Sequence, residues 1–376
     1  MPLQYKSNSE FIISHNYLSE QFSDVDYFLS LIRKVALEGD FTLGEVVNHF
    51  ELKFAKYLNV SYALGVGSGT DALFLGLKAL GIGPGHEVIT TPFSFIATTG
   101  AIVQAGALPV FCDVSIENFN LSPGGIIEKI GPKTRAVLPV HWAGRLCDMD
   151  AILSVTKSNN LRVIEDACHA FLAEKNGKYA GTFGDIGCFS LHPLKNLNVW
   201  GDGGVIVSNS KDIIENLSLL RNHGLIDRNT CEIFGVNSRL DTIQAVIGLE
   251  MLKRIESITE RRILNANKLD ERLRLIDQLK VPDRLEFRAE VFHLYNFLAE
   301  NRNELVNFLK NSQIDAKIHY PTPIHLQPAS KALGYKKGDF PNAEFISERI
   351  ISLPVHEYIS DSQIDFIATK IEEFYK

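Results

Sequence analysis

The chain has 376 residues, is 45% apolar and 22% charged, and carries a net charge of −7. That length suits one large domain plus a smaller one rather than a single small core. The acidic balance argues against a nucleic-acid or membrane-surface partner, which needs a basic excess, while a local set of donors can still bind an anionic small molecule.

At the N-terminus, Met1–Glu10 shows no basic-then-apolar leader pattern. No apolar run approaches the roughly 18 residues of a membrane span, so the expected location is cytoplasmic. Residues 44–60 predict an amphipathic helix, with Val46, Val47, Phe50, Phe54 and Leu58 at spacings of three and four. From 61 to 208 short apolar runs end in Gly, Asp or His and alternate with helix-like stretches. The runs are Tyr62–Val66, Glu87–Thr90, Leu108–Cys112, Arg135–Val140, Arg162–Glu165, Ile186–Leu191 and Gly204–Val207. This alternation predicts an α/β fold with a mainly parallel sheet, whose ligands collect at the carboxyl ends of strands. Beyond about 240 the chain turns helical and charged. Ile243–Ile258 is periodic, 254–274 reads as a long solvated helix, Glu300–Leu309 as a helix and Ala316–His319 as a strand. Domains 1–250 (with an N-terminal helical segment) and 251–376 (small, α+β) follow from this change of texture. The five cysteines, 112, 147, 168, 188 and 231, lack metal or redox spacing and read as small buried hydrophobes; no metal site is expected.

Three strand ends carry residues with chemistry. After the first run comes Gly65-Val66-Gly67-Ser68-Gly69-Thr70-Asp71, where glycines and a helix start can cradle a phosphate, with Thr70 adding a hydroxyl. The ordinary alternative is a capped tight turn; a dinucleotide fingerprint fits less well, because the spacing is not G-x-G-x-x-G. Asp166 ends the run Arg162–Glu165 and could hold a ring nitrogen protonated, or simply cap a helix. His169 follows it. Lys195 stands after His192-Pro193, on a loop, because proline cannot continue a central strand. Alone, a loop lysine is usually a solvated charge. Together, an anion cradle, a ring-nitrogen carboxylate and an amine are what a Schiff-base cofactor requires.

The segments Ser68–Leu73, Glu165–Ala170, Phe189–Leu197, Gly201–Gly204, Gly235–Ala245 and His319–Pro328 resemble, in order, the DegT-type sugar aminotransferase family. The resemblance implies the aspartate-aminotransferase-like fold (PLP fold type I) and a homodimer with shared active sites. It implies pyridoxal 5′-phosphate held by Lys195 as an internal aldimine, with Lys195 later shuttling a proton, and Asp166 pairing with the pyridine nitrogen. Gly69, Thr70 and Ser190 would bind the phosphate, Asn237 would reach it from the neighbouring subunit, and Phe95 would stack on the ring. His169, where many relatives have Gln, would reach the phenolic oxygen; Leu194 replaces a common small polar residue. Members with His in place of the lysine deoxygenate sugars, so Lys195 implies transamination, from glutamate to a nucleotide-diphosphate keto sugar. His319–Pro328 resembles the subset acting at C3 of dTDP-3-keto-6-deoxyhexoses, with His325 and Tyr320 near the sugar. A C4 aminotransferase of UDP- or dTDP-4-keto sugars is the alternative. A pyridoxal-phosphate regulatory protein without turnover and a nucleotide-binding dehydrogenase are readings of other classes.

Overall fold

A computed structural model describes residues 11–286 and 288–376; Met1–Glu10, read above for a leader, lies outside them. The strands are β1 (Tyr62–Val66), β2 (Glu87–Thr90), β3 (Leu108–Phe111), β4 (Thr134–Val137), β5 (Arg162–Asp166), β6 (Glu174–Lys175), β7 (Lys178–Tyr179), β8 (Ile186–Ser190), β9 (Gly204–Ser208), β10 (Leu279–Lys280), β11 (Tyr295–Ala299) and β12 (Ile350–Leu353).

Seven of them form one sheet in the order β1-β9-β8-β5-β4-β2-β3. All neighbours are parallel except those of β9, which runs antiparallel to both β1 and β8. The carboxyl ends of β1, β2, β4, β5 and β8 therefore share one edge. The near-continuous burial of β5, β8 and β9 is that of strands covered on both faces. Helices attach with side-chain caps: Ser68, Asp148 and Ser210 each accept a backbone N–H from the first turn of the helix they begin.

The expected helix at 44–60 is Glu45–Tyr57, and its Val47, Phe50 and Phe54 are buried. The two helical stretches expected at 243–274 are one helix, Thr242–Leu273. Its second half is not a solvated helix, because Ile263, Ala266, Leu269 and Leu273 enter a second core and Arg262, Asn265 and Asp270 are buried with them. The same helix contributes Ala245 to Ile258 to the core under the large sheet. The proposed boundary at 250/251 thus falls inside it.

The second core lies under a three-stranded sheet, β10-β11-β12, which charge and periodicity did not reveal. Ala316–His319 is not a strand: it makes a single bridge, Lys317 to Ser352. The helix expected at 300–309 is Arg302–Asn311. Cys112, Cys147 and Cys188 are buried as expected, Cys168 partly so, but Cys231 is exposed; all five are free thiols. Among the described residues no helix is long and apolar enough to cross a membrane.

Candidate active site

β1 ends in the Gly67-Ser68 turn, and Ser68 Oγ accepts the Asp71 N–H at 3.0 Å to start the Gly69–Ala79 helix. Like any helix start, this one presents backbone N–H groups without intrahelical partners. A Cβ on Gly69 would stand 2.7 Å from the Ser190 Cβ and 3.0 Å from the Cys168 Sγ. Only glycine lets the helix start approach the end of β8 so closely. Gly69, Thr70 and Ser190 are thereby gathered at one place, from segments 120 residues apart in sequence. The turn is tied from behind: Ser238 Oγ accepts the Gly67 N–H at 3.0 Å and donates to Asp71 Oδ2 at 2.9 Å.

Asp166 ends β5 and is 5% exposed. Thr98 Oγ1 donates to its Oδ2 at 2.8 Å and the Cys168 N–H to its Oδ1 at 3.2 Å, and Ser94 in turn bonds Thr98. The neighbouring Glu165 faces the other way. Fully buried, it accepts the N–H groups of Gly181, Phe183 and Gly184 and bonds His141 at 2.8 Å. Alternation along the strand separates the two carboxylates, leaving Asp166 for the site.

β8 ends at Ser190, and residues 191–199 form the irregular loop that proline demanded. Lys195 sits in it, partly buried. Burial lowers its ammonium pKa below the ordinary 10.5, against the opposing pull of Cys168 and Asp166. A lysine so placed is a readier nucleophile than a surface one.

His169 stands close enough to feel the Lys195 charge. Its Nδ1 is buried without a partner, and burial, with Lys195 and His319 nearby, holds it neutral well below the usual histidine range. Its ring meets those of His293 at 4.3 Å and Trp142 at 5.5 Å. The approach of 289–294 depends on Gly144, at φ 95°, where a Cβ would come within 2.9 Å of the His169 carbonyl and 3.0 Å of the His293 N. Tyr320 joins through ring contacts with Trp142 at 5.6 Å and Phe95 at 6.0 Å; burial and then the Asp166 charge raise its phenol pKa.

The structure thus gathers Gly69, Thr70, Ser190, Asp166, Lys195 and His169, with Phe95 and Tyr320 beside them. Two expected residues stand apart. Asn237 is exposed on the surface loop after Asn222, whose backbone it bridges. His325 is 2% exposed, bonds Glu344 at 3.0 Å and packs on Phe340 at 4.8 Å, with none of these contacts leading to Lys195. Sequence reasoning passed over Thr98, Trp142 and His293. Thr98 stands three residues after Phe95, but nothing local marks His293.

The orphaned His169 nitrogen, the glycine cradle and a buried carboxylate facing a lysine fit a phosphorylated pyridine aldehyde. Fold and site together define an α/β, aspartate-aminotransferase-like protein of fold type I. The model of the DegT/DnrJ/EryC1/StrS aminotransferase family matches residues 24–372. A pleiotropic regulatory protein of Geobacillus stearothermophilus is 38% identical, over 96% of this chain and 97% of the relative. UDP-N-acetyl-3-dehydro-alpha-D-glucosamine 3-aminotransferase of Acidithiobacillus ferrooxidans is also 38% identical, over 92% and 93%. The crystal structure of Streptomyces venezuelae DesV with a ketimine intermediate superposes with a TM-score of 0.93 at 34% identity, covering 96% of this chain and 97% of that one. The chain belongs to the DegT/DnrJ/EryC1/StrS aminotransferase family, and at that level is a pyridoxal-phosphate-dependent nucleotide-sugar aminotransferase.

Proposed function

We propose that the protein moves an amino group from L-glutamate to C3 of a nucleotide-linked 3-keto-deoxy sugar, with a dTDP-3-keto-6-deoxyhexose as the preferred acceptor. The observation that carries this reading is the Lys195 amine, depressed in pKa by burial and within electrostatic reach of the Asp166 carboxylate at the end of the neighbouring strand β5. Bound there, pyridoxal phosphate supplies the electron sink on which an amino group is exchanged. Asp166, its oxygens aimed by Thr98 and the Cys168 N–H, holds the ring nitrogen protonated. Gly69, Thr70 and Ser190 hold the phosphate, and neutral His169 donates a hydrogen bond to the phenolic oxygen. Phe95 would cover the ring face, and Lys195 would carry the proton between the cofactor's C4′ and the substrate carbon that gains nitrogen.

Asn237 serves a second copy. Its loop carries Phe234, 99% exposed, with Ile226 at 54% and Val236 at 37%, an apolar surface that a homodimer would cover. Tyr320, in ring contact with Phe95, is placed to meet the sugar, while His325 acts on it only through the loop it braces. The soluble setting proposed is the cytoplasm.

The A. ferrooxidans relative's name supports C3 and leaves UDP beside dTDP as the nucleotide. The G. stearothermophilus relative's name favours a second reading, a cofactor-binding regulator without turnover. Incubation with glutamate and a panel of dTDP- and UDP-linked 3-keto and 4-keto sugars, with mass detection, separates them. A 3-amino product is expected. A 4-amino product overturns the carbon assignment, and no product from any acceptor overturns catalysis. Lys195→Ala should lose both turnover and the borohydride-sensitive visible band; full activity in that variant sinks the assignment of Lys195.

A further inference from the structure

Residues 13–17 pack with the smaller unit although they stand near the N-terminal end of the sequence. The Ile13 N–H donates to the Gln313 carbonyl at 3.1 Å and its own carbonyl accepts from Asp315 at 2.9 Å. The His356 ring bonds the Ser14 carbonyl at 2.9 Å, and Tyr17 stacks on His356 at 4.6 Å and accepts from Arg262 at 2.6 Å. Four residues later the same segment touches the Lys195 loop. Asn198 Nδ2 donates to Gln21 Oε1 at 2.7 Å and to the Pro193 carbonyl at 2.5 Å. Gln21 Nε2 donates to Glu357 Oε1 at 3.1 Å, and Glu357 pairs with Arg262 at 3.3 Å. Next to it, Phe22 packs edge-on against Trp200 at 5.5 Å, and Phe28 meets the same indole at 5.4 Å. Gln21 is 1% exposed and Asn198 0%.

We propose that Gln21 is a positioning residue for Lys195, holding the loop from Pro193 to Trp200 against the smaller unit. The loop lacks regular structure, so few bonds fix its course. Besides Asn198, they include Lys195 N to the His192 carbonyl at 2.8 Å, Leu194 N to the His192 ring at 3.3 Å, Asn196 Nδ2 to the Val291 carbonyl at 3.0 Å, Val199 N to the Leu191 carbonyl at 3.0 Å and Gln244 Nε2 to the Trp200 carbonyl at 2.8 Å. Asn198 supplies the crosslink within the loop, and Gln21 sets the orientation of its amide. Each end of the Gln21 amide has a buried partner, so an apolar side chain there takes one of two partners from Asn198, which keeps Pro193, and one from Glu357, which keeps Arg262. Two adjacent residues, one polar and one aromatic, thus grip the carboxyl half of the loop while their own segment is anchored in the other core. The placement of the Lys195 amine is set by how the N-terminal segment packs. This rests on Lys195 being the amine that condenses with the cofactor.

The test compares the full-length wild type with Gln21→Met and Gln21→Glu. It measures cofactor affinity by equilibrium titration, the pH midpoint of the borohydride-sensitive band, and the apo-protein melting temperature. Gln21→Met should weaken cofactor binding about tenfold, the size expected for one lost buried hydrogen bond, and shift the band's midpoint. Gln21→Glu keeps the acceptor for Asn198 but sets a second carboxylate beside Glu357. It should match the wild type at low pH, where the two share a proton, and match Gln21→Met at high pH. A lowered melting temperature with affinity and midpoint unchanged would leave Gln21 merely structural and overturn the proposal. So would a Gln21→Glu protein indifferent to pH, which decides the matter alone should Gln21→Met fail to fold. A wild-type band that survives in Lys195→Ala overturns the reading of Lys195 itself, and is recognised before any Gln21 variant is compared.

Discussion

Thr98 Oγ1 lies 2.8 Å from Asp166 Oδ2 and donates to it, so a hydroxyl from the helix after β2 aims a carboxylate from the end of β5. Ser94 bonds the same hydroxyl at 2.8 Å, which fixes the direction of the Thr98 proton. Both Asp166 oxygens are then engaged at the edges, and the carboxylate keeps one orientation toward the lysine.

Thr98→Val keeps the shape and removes the donor. Hydrogen bonds to charged groups contribute about 1.5–3 kcal/mol, so kcat/KM should fall roughly tenfold to a hundredfold. Steady-state kinetics with saturating cofactor checks this, and an unchanged value would show that Thr98 does not orient the carboxylate.

Gly69→Ala forces a methyl to within 2.7 Å of the Ser190 Cβ, closer than carbon atoms tolerate. The helix start must move away from β8, and cofactor affinity should fall more than tenfold while the apo-protein stays folded. Adding Ser190→Gly relieves the collision yet deletes the hydroxyl, so recovery should be partial. Fluorescence titration of cofactor binding measures both.

If Asn237 serves a second copy, two inactive proteins should rescue each other. In a mixed dimer of Lys195→Ala and Asn237→Asp chains, one site has both native residues and the other has neither. Random exchange puts half the chains' dimers in this form, so roughly a quarter of wild-type activity should return. No return on mixing would separate Asn237 from the neighbouring site.

Acid should destabilise the protein through its buried histidines. Burial first of all holds His15 and His319 down at about 3 and His356 at about 4, and keeps His169 and His293 well below the ordinary 6.5. Below pH 6.5 the unfolded chain binds protons at these positions that the folded one refuses, so stability falls as pH drops from 6.5 toward 4. Each such histidine contributes a slope of at most about 1.4 kcal/mol per pH unit. Thermal melts of the apo-protein between pH 8 and 5 should show the decline, and His356→Asn should flatten it.

The residues at the ends of β1, β5 and β8 were legible because the signal for each is local. An apolar run says where a strand ends, and a glycine turn, an aspartate or a proline then fixes what stands at its carboxyl end. The positions of Gly69, Asp166 and Lys195 followed from those runs, plus the rule that parallel strands share an edge, whereas the phosphate role of Ser190 came only with the family resemblance. The fused helix Thr242–Leu273 was misread in its second half because the residues that bury Arg262 and Asp270, such as Tyr17 and Tyr295, lie far from them in sequence. For the same reason β11 and β12, which pair across more than fifty residues, left no local trace.

For Lys195, the linear chain specified its company: a loop after a strand, with a phosphate turn and a carboxylate on parallel neighbours. How the amine is held follows from contacts between segments that only folding brings together. Gln21 reaches its loop from 177 residues away from Asn198, and His293 reaches His169 across a glycine that spacing alone could not relate to either. Periodicity records which face of an element is buried, whereas a polar contact between distant segments depends on how whole units dock, and no short stretch of chain encodes that.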